Sequence, residues 1–138
     1  MREFKLGILT PSGEAFSGDV KGVFLRTTDG EVGILAGHTD YLAGVVACVV
    51  KLIDAEERSV YAFCGGGFFS MAGGEATLIA DEFLFADALD GEQIENEIRE
   101  ISERLAKASE PEGVKFLKTY LARAEAKKRT LAAHEESK

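Results

Sequence analysis

The pattern of apolar residues changes near residue 86, and this change limits the possible folds more than any other feature of the sequence. In the first part, short apolar stretches are separated by polar turns, and of the 15 glycines only Gly91 and Gly113 lie in the second part. In the second part, apolar residues recur at intervals of three and four, which is typical of helices. The sequence therefore predicts a β domain at residues 1–86 and a helical domain at residues 87–138.

The first domain is predicted to consist of short antiparallel strands. Phe4, Leu6 and Ile8 alternate with small or polar neighbours, which is the period of a half-buried strand. The other predicted strands lie within residues 20–26, 45–53, 59–63, 68–71 and 76–79. Short strands with frequent turns favour an antiparallel β-sandwich or barrel over alternating strands and helices.

The second domain is predicted to be an antiparallel two-helix hairpin, so the fold class is α+β. The apolar face of the first helix comprises Ile94, Ile98, Ile101, Leu105 and Ala108, and that of the second comprises Leu117, Leu121, Ala124 and Leu131. Asp90 is a suitable N-cap, and Gln93 three residues later completes a capping-box pattern. Pro111 within residues 109–113 is expected to interrupt the helix.

Charge is distributed unequally between the two predicted helices. Residues 87–113 carry three basic and nine acidic residues, whereas residues 114–138 carry seven basic and three acidic residues. We therefore expect the helices to attract each other. The overall net charge of −8 argues against a nucleic-acid-binding protein. The second helix carries a basic cluster, which is either a solvated helix face or a patch that binds an acidic protein surface. Its members are residues 127–129, Lys115, Lys118 and Arg123.

The two cysteines, Cys48 and Cys64, are predicted to be buried, reduced thiols. They are too few for a disulfide framework, and their spacing does not match that of a metal site. The first residues lack the layout of a signal peptide. The longest apolar run, residues 41–50, is about half of the ~20 residues that cross a bilayer. We expect a soluble protein without a metal.

Two segments resemble catalytic or phosphate-binding motifs, but neither is complete. His38 and Asp40 could form a histidine–carboxylate pair, yet the pattern supplies neither a nucleophile nor enough ligands for a metal. The glycines at 65–67 are followed by aromatic strand residues instead of the Lys-Ser/Thr of a phosphate loop, which favours a bulge or a close backbone approach. No catalytic residue is predicted.

Three motifs resemble the epsilon subunit of F-type ATP synthases. These are TPSGEAFSGDV at residues 10–20, DGEVGILAGH at residues 29–38, and GGGFFSM at residues 65–71 followed by ATLIAD at residues 76–81. The helical hairpin then follows where that family has one, so the resemblance covers essentially the whole chain. It implies a non-catalytic rotor subunit of the central stalk, which couples proton translocation to ATP synthesis.

The resemblance also implies where the β domain binds. In the family this domain is clamped to the gamma subunit and rests on the ring of c subunits, and the segment at residues 29–38 belongs to the contact region. The interface residues implied here are Glu31, Gly33, Gly37 and His38. Glu31 is expected to pair with a basic loop of the c ring, and His38 is expected to lie closer to gamma.

The chain departs from the family at two positions where proline is usual. These are Ala36, within the segment, and Asp40, two residues after it. Without two fixed φ angles, the free loop should be slightly more flexible. The glycines of the segment are retained.

The hairpin resembles the family's brake on ATP hydrolysis. Its second helix is expected to enter the catalytic head of alpha and beta subunits, where basic residues meet an acidic segment of beta. The residues implied for this contact are Arg123, Lys127, Lys128 and Arg129. Through the complex, the chain would lie peripherally at the cytoplasmic face of a bacterial plasma membrane.

Many bacterial members of the family bind ATP at the start of the hairpin through the motif Ile/Leu-Asp-x-x-Arg-Ala. Here Leu89 and Asp90 match the motif, but Gln93 replaces the arginine. An amide lacks the charge and the planar fork with which guanidinium binds phosphate. We expect weak or absent ATP binding and no cofactor, with Asp90 acting mainly as a cap. The alternative function is a stand-alone nucleotide-sensing module.

Overall fold

The computed structural model describes residues 2–138, which form nine strands followed by two helices. The strands are β1 Phe4–Thr10, β2 Gly13–Thr27, β3 Gly30–Leu35, β4 Tyr41–Val45, β5 Cys48–Asp54, β6 Ser59–Cys64, β7 Gly67–Ala72, β8 Glu75–Ala80 and β9 Phe83–Phe85. A short 3₁₀ turn at Ala86–Ala88 leads to α1 Gly91–Lys107 and α2 Pro111–Glu136. The predicted fold class, a β-sandwich followed by a two-helix hairpin, is confirmed.

The long strand β2 belongs to both layers of the sandwich. Its first half pairs with β1, which continues through β8 and β7 to β4. Its second half pairs with β3 on one side and with β5 on the other, and β5 continues to β6 and β9. All pairings are antiparallel, as predicted, except β1 with β8, which run parallel.

The sandwich core is formed by the inward faces of both layers. The predicted alternation in β1 is confirmed, since Phe4, Leu6 and Ile8 are buried. Other fully buried side chains in this core are Val20, Val23, Ile34, Val50, Phe69, Met71 and Leu78. Each buried side chain of this size contributes about 1.5–3 kcal/mol relative to exposure, so burial holds the two layers together.

The structure differs from the predicted strands at four places. Strand β2 already begins at Gly13, before the predicted residues 20–26, and strand β9 at Phe83–Phe85 was not predicted. Residues 30–35 form strand β3, which pairs with β2, so only the end of the segment at residues 29–38 is a loop. The apolar run at residues 41–50 is divided between β4 and β5 by a bend at residues 46–47. At this bend the Val46 N–H donates to the Arg26 carbonyl of β2 at 3.1 Å, which redirects the chain from one layer to the other.

The glycine run at residues 65–67 ends where β7 begins, and it serves the close backbone approach that the sequence indicates. A Cβ on Gly67 would collide with the Ile79 carbonyl of β8. Gly66 and Gly67 also have positive φ angles of 118° and 152°, which favour glycine.

The start of α1 and the break between the helices agree with the prediction, whereas α2 already begins at Pro111, within the residues 109–113 that were expected to interrupt the helix. The Asp90 carboxylate accepts hydrogen bonds from the N–H groups of Glu92 and Gln93 at 3.0 and 3.4 Å and caps α1. The helix ends at Lys107, and Pro111 occupies the start of α2, where its missing N–H costs no hydrogen bond.

The hairpin lies against the outer face of β5 and β6. On α2, Ala124, Ala126 and Thr130 are buried. The neighbours of Phe63 in β6, Ala62 and Cys64, point into the sandwich core. The Phe63 side chain therefore points outwards, and because it is also fully buried, α2 covers its ring. Within residues 2–138, no helix combines the length and the apolar character needed to cross a membrane.

Candidate functional site

Glu31 lies on β3, directly opposite Arg26 of β2. The Arg26 Nη2 and Glu31 Oε1 atoms are 3.1 Å apart, and the two side chains are 58% and 77% exposed. Exposed ion pairs contribute only about 0–1 kcal/mol. The Glu31 carboxylate can therefore exchange Arg26 for another cation at little cost.

Gly33 provides space for an aromatic ring on the outer surface of the sheet. A Cβ on Gly33 would lie 2.7 Å from Cε1 of Phe24. The ring therefore lies flat across β3, and the ammonium group of Lys51 sits 5.7 Å from the ring centroid. This glycine shapes the surface and carries no functional group of its own.

Gly37 and His38 form a tight turn after β3. Gly37 has a φ of 85°, and the His38 N–H donates to the Leu35 carbonyl at 3.1 Å. The His38 Nδ1 lies 2.8 Å from the Thr39 carbonyl oxygen. The His38 and Tyr41 rings pack in a T-shaped arrangement, with their centroids 5.6 Å apart. These contacts fix the orientation of the half-buried imidazole.

Asp40 and His38 have different partners. The Asp40 carboxylate accepts a hydrogen bond from the Gly73 N–H at 3.2 Å, in the turn between β7 and β8. The His38 imidazole thus has a backbone carbonyl as its partner, and the Asp40 carboxylate has a backbone N–H as its partner. Asp40 also tethers the loop at a position where the resemblance leads us to expect proline.

Arg123 of α2 anchors the hairpin to the acidic residues that follow β8. Its Nη1 donates to Asp81 at 3.0 Å and its Nη2 donates to Glu82 at 2.8 Å. Burial alone would lower the pKa of Arg123, but the hydrogen bonds and charges of Glu82 and Asp81 raise it overall. We call Arg123, Asp81 and Glu82, together with Lys127, the charge clamp.

Lys127 completes the charge clamp and joins three elements. Its ammonium group lies 4.0 Å from Glu82, 3.7 Å from Glu97 of α1 and 5.4 Å from the centroid of the Phe63 ring. The side chain is only 15% exposed, so these interactions are poorly screened by water. The predicted attraction between the helices is confirmed here and by Lys128, whose ammonium group is 3.0 Å from Glu95.

Arg129 lies on a different side of α2 and lines an open cleft. The cleft of about 850 Å³ separates α2 from β2, β3 and β5, and Glu31, Gly33 and Lys51 also line it. The structure thus brings Arg129 to the same cleft as Glu31 and Gly33. Arg123 and Lys127, in contrast, lie in the charge clamp.

Gly65 makes the charge clamp possible, and sequence reasoning missed this role. A Cβ at this position would lie 2.5 Å from Asp81 Oδ1 and 2.8 Å from Arg123 Nη2. Asp81 and Glu82 were also missed. The available signal was two adjacent acidic residues after the last long strand, opposite in charge to the second helix.

An apolar row crosses the outer face of the layer that the hairpin leaves uncovered. Leu9, Ile79 and Phe68 are neighbours on β1, β8 and β7, and Leu42 of β4 lies diagonal to Phe68. Their exposed fractions are 42%, 55%, 63% and 74% in that order. A contiguous row of large exposed apolar side chains marks an interaction surface. We call these four residues the apolar row.

Comparison with known sequences gives consistent matches over most of the chain. Residues 3–86 match the family described as ATP synthase, Delta/Epsilon chain, beta-sandwich domain. The ATP synthase epsilon chain of Clostridium botulinum (strain Alaska E43 / Type E3) is 31% identical over 102 residues, which are 74% of this chain and 76% of that protein. The sodium-ion-specific epsilon chain of Propionigenium modestum is 28% identical over 114 residues, 83% of this chain and 82% of that protein.

Two solved structures share the fold. One chain in a structure of the Euglena gracilis mitochondrial ATP synthase, containing OSCP, F1 and c-ring, superimposes with a TM-score of 0.83 at 17% identity and covers 94% of this chain and 81% of that chain. A chain in the central stalk and c-ring of the Tetrahymena thermophila mitochondrial ATP synthase gives a TM-score of 0.62 at 10% identity, covering 94% and 97%. At these identities the likeness establishes the fold alone.

Proposed function

The chain belongs to the family of ATP synthase epsilon subunits, and we propose that it is a rotor subunit of the central stalk that couples proton translocation to ATP synthesis. Its β domain binds the gamma subunit and the c ring, and its hairpin restrains ATP hydrolysis. In a bacterium, the chain would lie at the cytoplasmic face of the plasma membrane as a peripheral part of the complex. The observation that carries this proposal is the combination of an uncovered apolar row and a hairpin held by exchangeable charges.

The apolar row supports docking on gamma. A subunit that transmits torque needs a rigid surface that stays available in every state of its mobile parts. The row lies on the layer opposite the hairpin, on strands whose inward residues Ile8, Leu78 and Phe69 are fully buried. Burying large apolar side chains is the main source of affinity in such interfaces. We therefore assign the row to gamma.

The affinity for gamma tests this assignment, and the chain offers a matched control. Phe68→Ala should weaken binding of the purified chain to gamma by about tenfold or more, since a central aromatic side chain is worth about 2 kcal/mol. Phe116→Ala should leave the affinity unchanged, because Phe116 is almost equally exposed (61% against 63%) but lies on α2. Equal affinities of wild type and Phe68→Ala would refute the assignment.

We assign the segment at residues 29–38 to the c ring. Gly33 and Gly37 shape its surface, and His38 lies towards gamma. Glu31 is highly exposed and bound only to an exposed Arg26, so it can pair with a basic loop instead. In membranes containing the assembled enzyme, Glu31→Gln should reduce ATP-driven ion pumping without reducing ATP hydrolysis. Pumping that is unaffected would remove Glu31 from the interface.

The brake is supported by the charge clamp. Arg123, Lys127 and Lys128 pair with acidic residues of this chain when the hairpin is closed. If the hairpin opens, the same basic groups become available to an acidic segment of the beta subunit, with Arg129 beside them. Opening also exposes Phe63, at a cost of about 1.5–3 kcal/mol. The partner must therefore supply both charge pairs and apolar contacts.

Truncation after Asp87 tests the brake. Removal of both helices should raise the ATP hydrolysis of the assembled enzyme at low proton-motive force, because nothing then enters the head. Unchanged hydrolysis would leave only the coupling role.

ATP binding is proposed to be weak or absent. Asp90 Oδ1 is engaged in capping α1, and an amide stands at position 93. Calorimetry of the isolated chain with ATP separates this proposal from the alternative of a stand-alone nucleotide sensor. Tight binding of ATP would favour the sensor.

A hydrolase that uses His38 and Asp40 is the remaining alternative. It receives little support, because the two side chains have separate backbone partners. If His38→Ala abolished an activity of the isolated chain, this alternative would replace the rotor assignment.

A further inference from the structure

Cys48 of β5 and Cys64 of β6 are direct partners in the antiparallel pairing of these strands. Opposed residues in such a pair have Cα atoms about 4.5–5.5 Å apart, and a disulfide accepts separations of about 4.4–6.8 Å. Both residues are free thiols, and the interaction between them shifts the pKa of each. The strand pairing therefore already places the two Cα atoms within the range that a disulfide accepts.

The two thiols differ in their surroundings. Cys48 lines the wall of the cleft that Arg26 and Arg129 also line, but its side chain packs in the sandwich core and is only 4% exposed. Cys64 is fully buried, accepts a hydrogen bond from the Gly66 N–H at 3.4 Å, and lies near the Asp81 carboxylate. Positive charge favours a thiolate at Cys48, while negative charge disfavours one at Cys64.

The pKa values follow this difference. The hydrogen bond from Cys64 lowers the pKa of Cys48 below its usual 9.0 despite the opposing effect of burial, and Arg26 and Arg129 lower it further. The same hydrogen bond and burial raise the pKa of Cys64. These directions make Cys48 the more acidic of the two thiols, and the thiolate is the reactive species.

We propose that Cys48 and Cys64 are a peroxide-sensitive dithiol that forms a reversible intramolecular disulfide. The Cys48 sulfur attacks one peroxide oxygen and the O–O bond breaks, leaving a sulfenic acid on Cys48 and a hydroxide that is protonated to water. The Cys64 sulfur then attacks the sulfenic sulfur, the S–O bond breaks, and a second water leaves with the Cys64 proton. Two thiols are oxidised and one peroxide is reduced.

The disulfide would join the two strands on which α2 lies. It would also remove the ionisable Cys48 thiol, whose pKa Arg26 and Arg129 lower. This modification site is independent of the role proposed for the hairpin, because it rests on the pairing of β5 with β6.

Treatment of the reduced, full-length chain with hydrogen peroxide tests the proposal. The expected product is a monomer lighter by two hydrogen atoms, with neither thiol titratable and both restored by dithiothreitol. Two thiols that still titrate after treatment, or disulfide-linked dimers in place of the monomeric product, would overturn it.

Single variants identify the attacking sulfur. With Cys64→Ser, which keeps a hydrogen-bond donor beside Cys48 but removes the second thiol, peroxide should leave a sulfenic acid on Cys48 that dimedone captures. With Cys48→Ala, labelling of Cys64 should be slower by about tenfold or more, as expected for a buried thiol without nearby positive charge. Equal labelling of the two variants would contradict the assignment of Cys48 as the attacking group. Circular dichroism of each variant verifies that it is folded.

Discussion

At the scale of single residues, Gly65 offers the most selective way to disturb the anchorage of the hairpin. In Gly65→Ala the new methyl group would displace the Arg123 and Asp81 side chains, which lie 2.8 and 2.5 Å from its position. Loss of one charge-assisted hydrogen bond should weaken docking of α2 by about 1–3 kcal/mol. Hydrogen exchange of α2 should become faster accordingly.

Gly7→Ala is the matched control for this prediction. A Cβ on Gly7 would meet no atom within 4 Å, and Gly7 also lies in a strand. Exchange in α2 should therefore match that of the wild type. If both variants behave alike, Gly65 is not needed for the charge clamp.

Asp54 provides a pH-dependent contribution in the turn between β5 and β6. The hydrogen bond from the Arg58 N–H, followed by the charge and side chain of Arg58, lowers its pKa below the usual 3.8. A depressed pKa in the folded state means that the stabilisation is fully present above pH 3.8 and is lost as pH falls through the lower folded value. A carboxyl NMR titration of Asp54 should give a midpoint below 3.8.

Asp54→Asn is expected to remove this pH dependence from the unfolding of the chain below pH 4, whereas Glu56→Gln in the same turn should retain it. A titration midpoint of Asp54 at or above 3.8 would contradict the prediction.

Single residues also set the limit of what the sequence could predict about the site. Glu31 and His38 could be selected from a resemblance, but the partners Arg26 and Thr39 depend on the register of β2 and β3 and on the turn after β3. The contact of Arg123 with Asp81 joins residues 42 positions apart in the chain. Such long-range pairs are invisible to local patterns, although their opposite charges are plain in the sequence.

At the scale of elements, the start of α1 depends on one side chain. Asp90→Ala removes the acceptor for the Glu92 and Gln93 N–H groups, and should destabilise the hairpin by about 0.5–2 kcal/mol. Asp90→Asn should recover most of this loss, because an amide oxygen also caps. Thermal unfolding followed by circular dichroism measures the difference. Equal loss in both variants would mean that the charge, and not the cap, is important.

Elements with a clear period were predictable, and the others were not. The strand β1 and both helices have regular apolar spacing and flanking stop signals, so their positions agree with the prediction. The strand β3 was missed because Gly30 and Gly33 interrupt its alternation and Leu35 is exposed. The boundary between β4 and β5 falls within a continuous apolar run, where nothing local marks a turn.

At the scale of the whole molecule, the two outer faces of the β domain differ in chemistry. The apolar row faces away from the hairpin, while the charge clamp, Phe63 and the cleft lie beneath it. In the proposed function, one face remains bound to gamma while the other face holds or releases the hairpin. The overall architecture was predictable from the change of period, but the division of roles between the two faces required the structure.

In the proposed function, the charge clamp holds the hairpin closed and so prevents it from acting as a brake, and Glu82→Gln is the sharpest test of this role. Glu82 accepts from Arg123 and lies close to Lys127, so the amide weakens the closed state without changing the basic residues that would meet the beta subunit. The decisive measurement is the ATP hydrolysis rate of the assembled enzyme containing this variant, with Glu75→Gln as an exposed control. We expect a rate several-fold below that of wild type and control, whereas an unchanged or higher rate would refute the proposed role of the charge clamp.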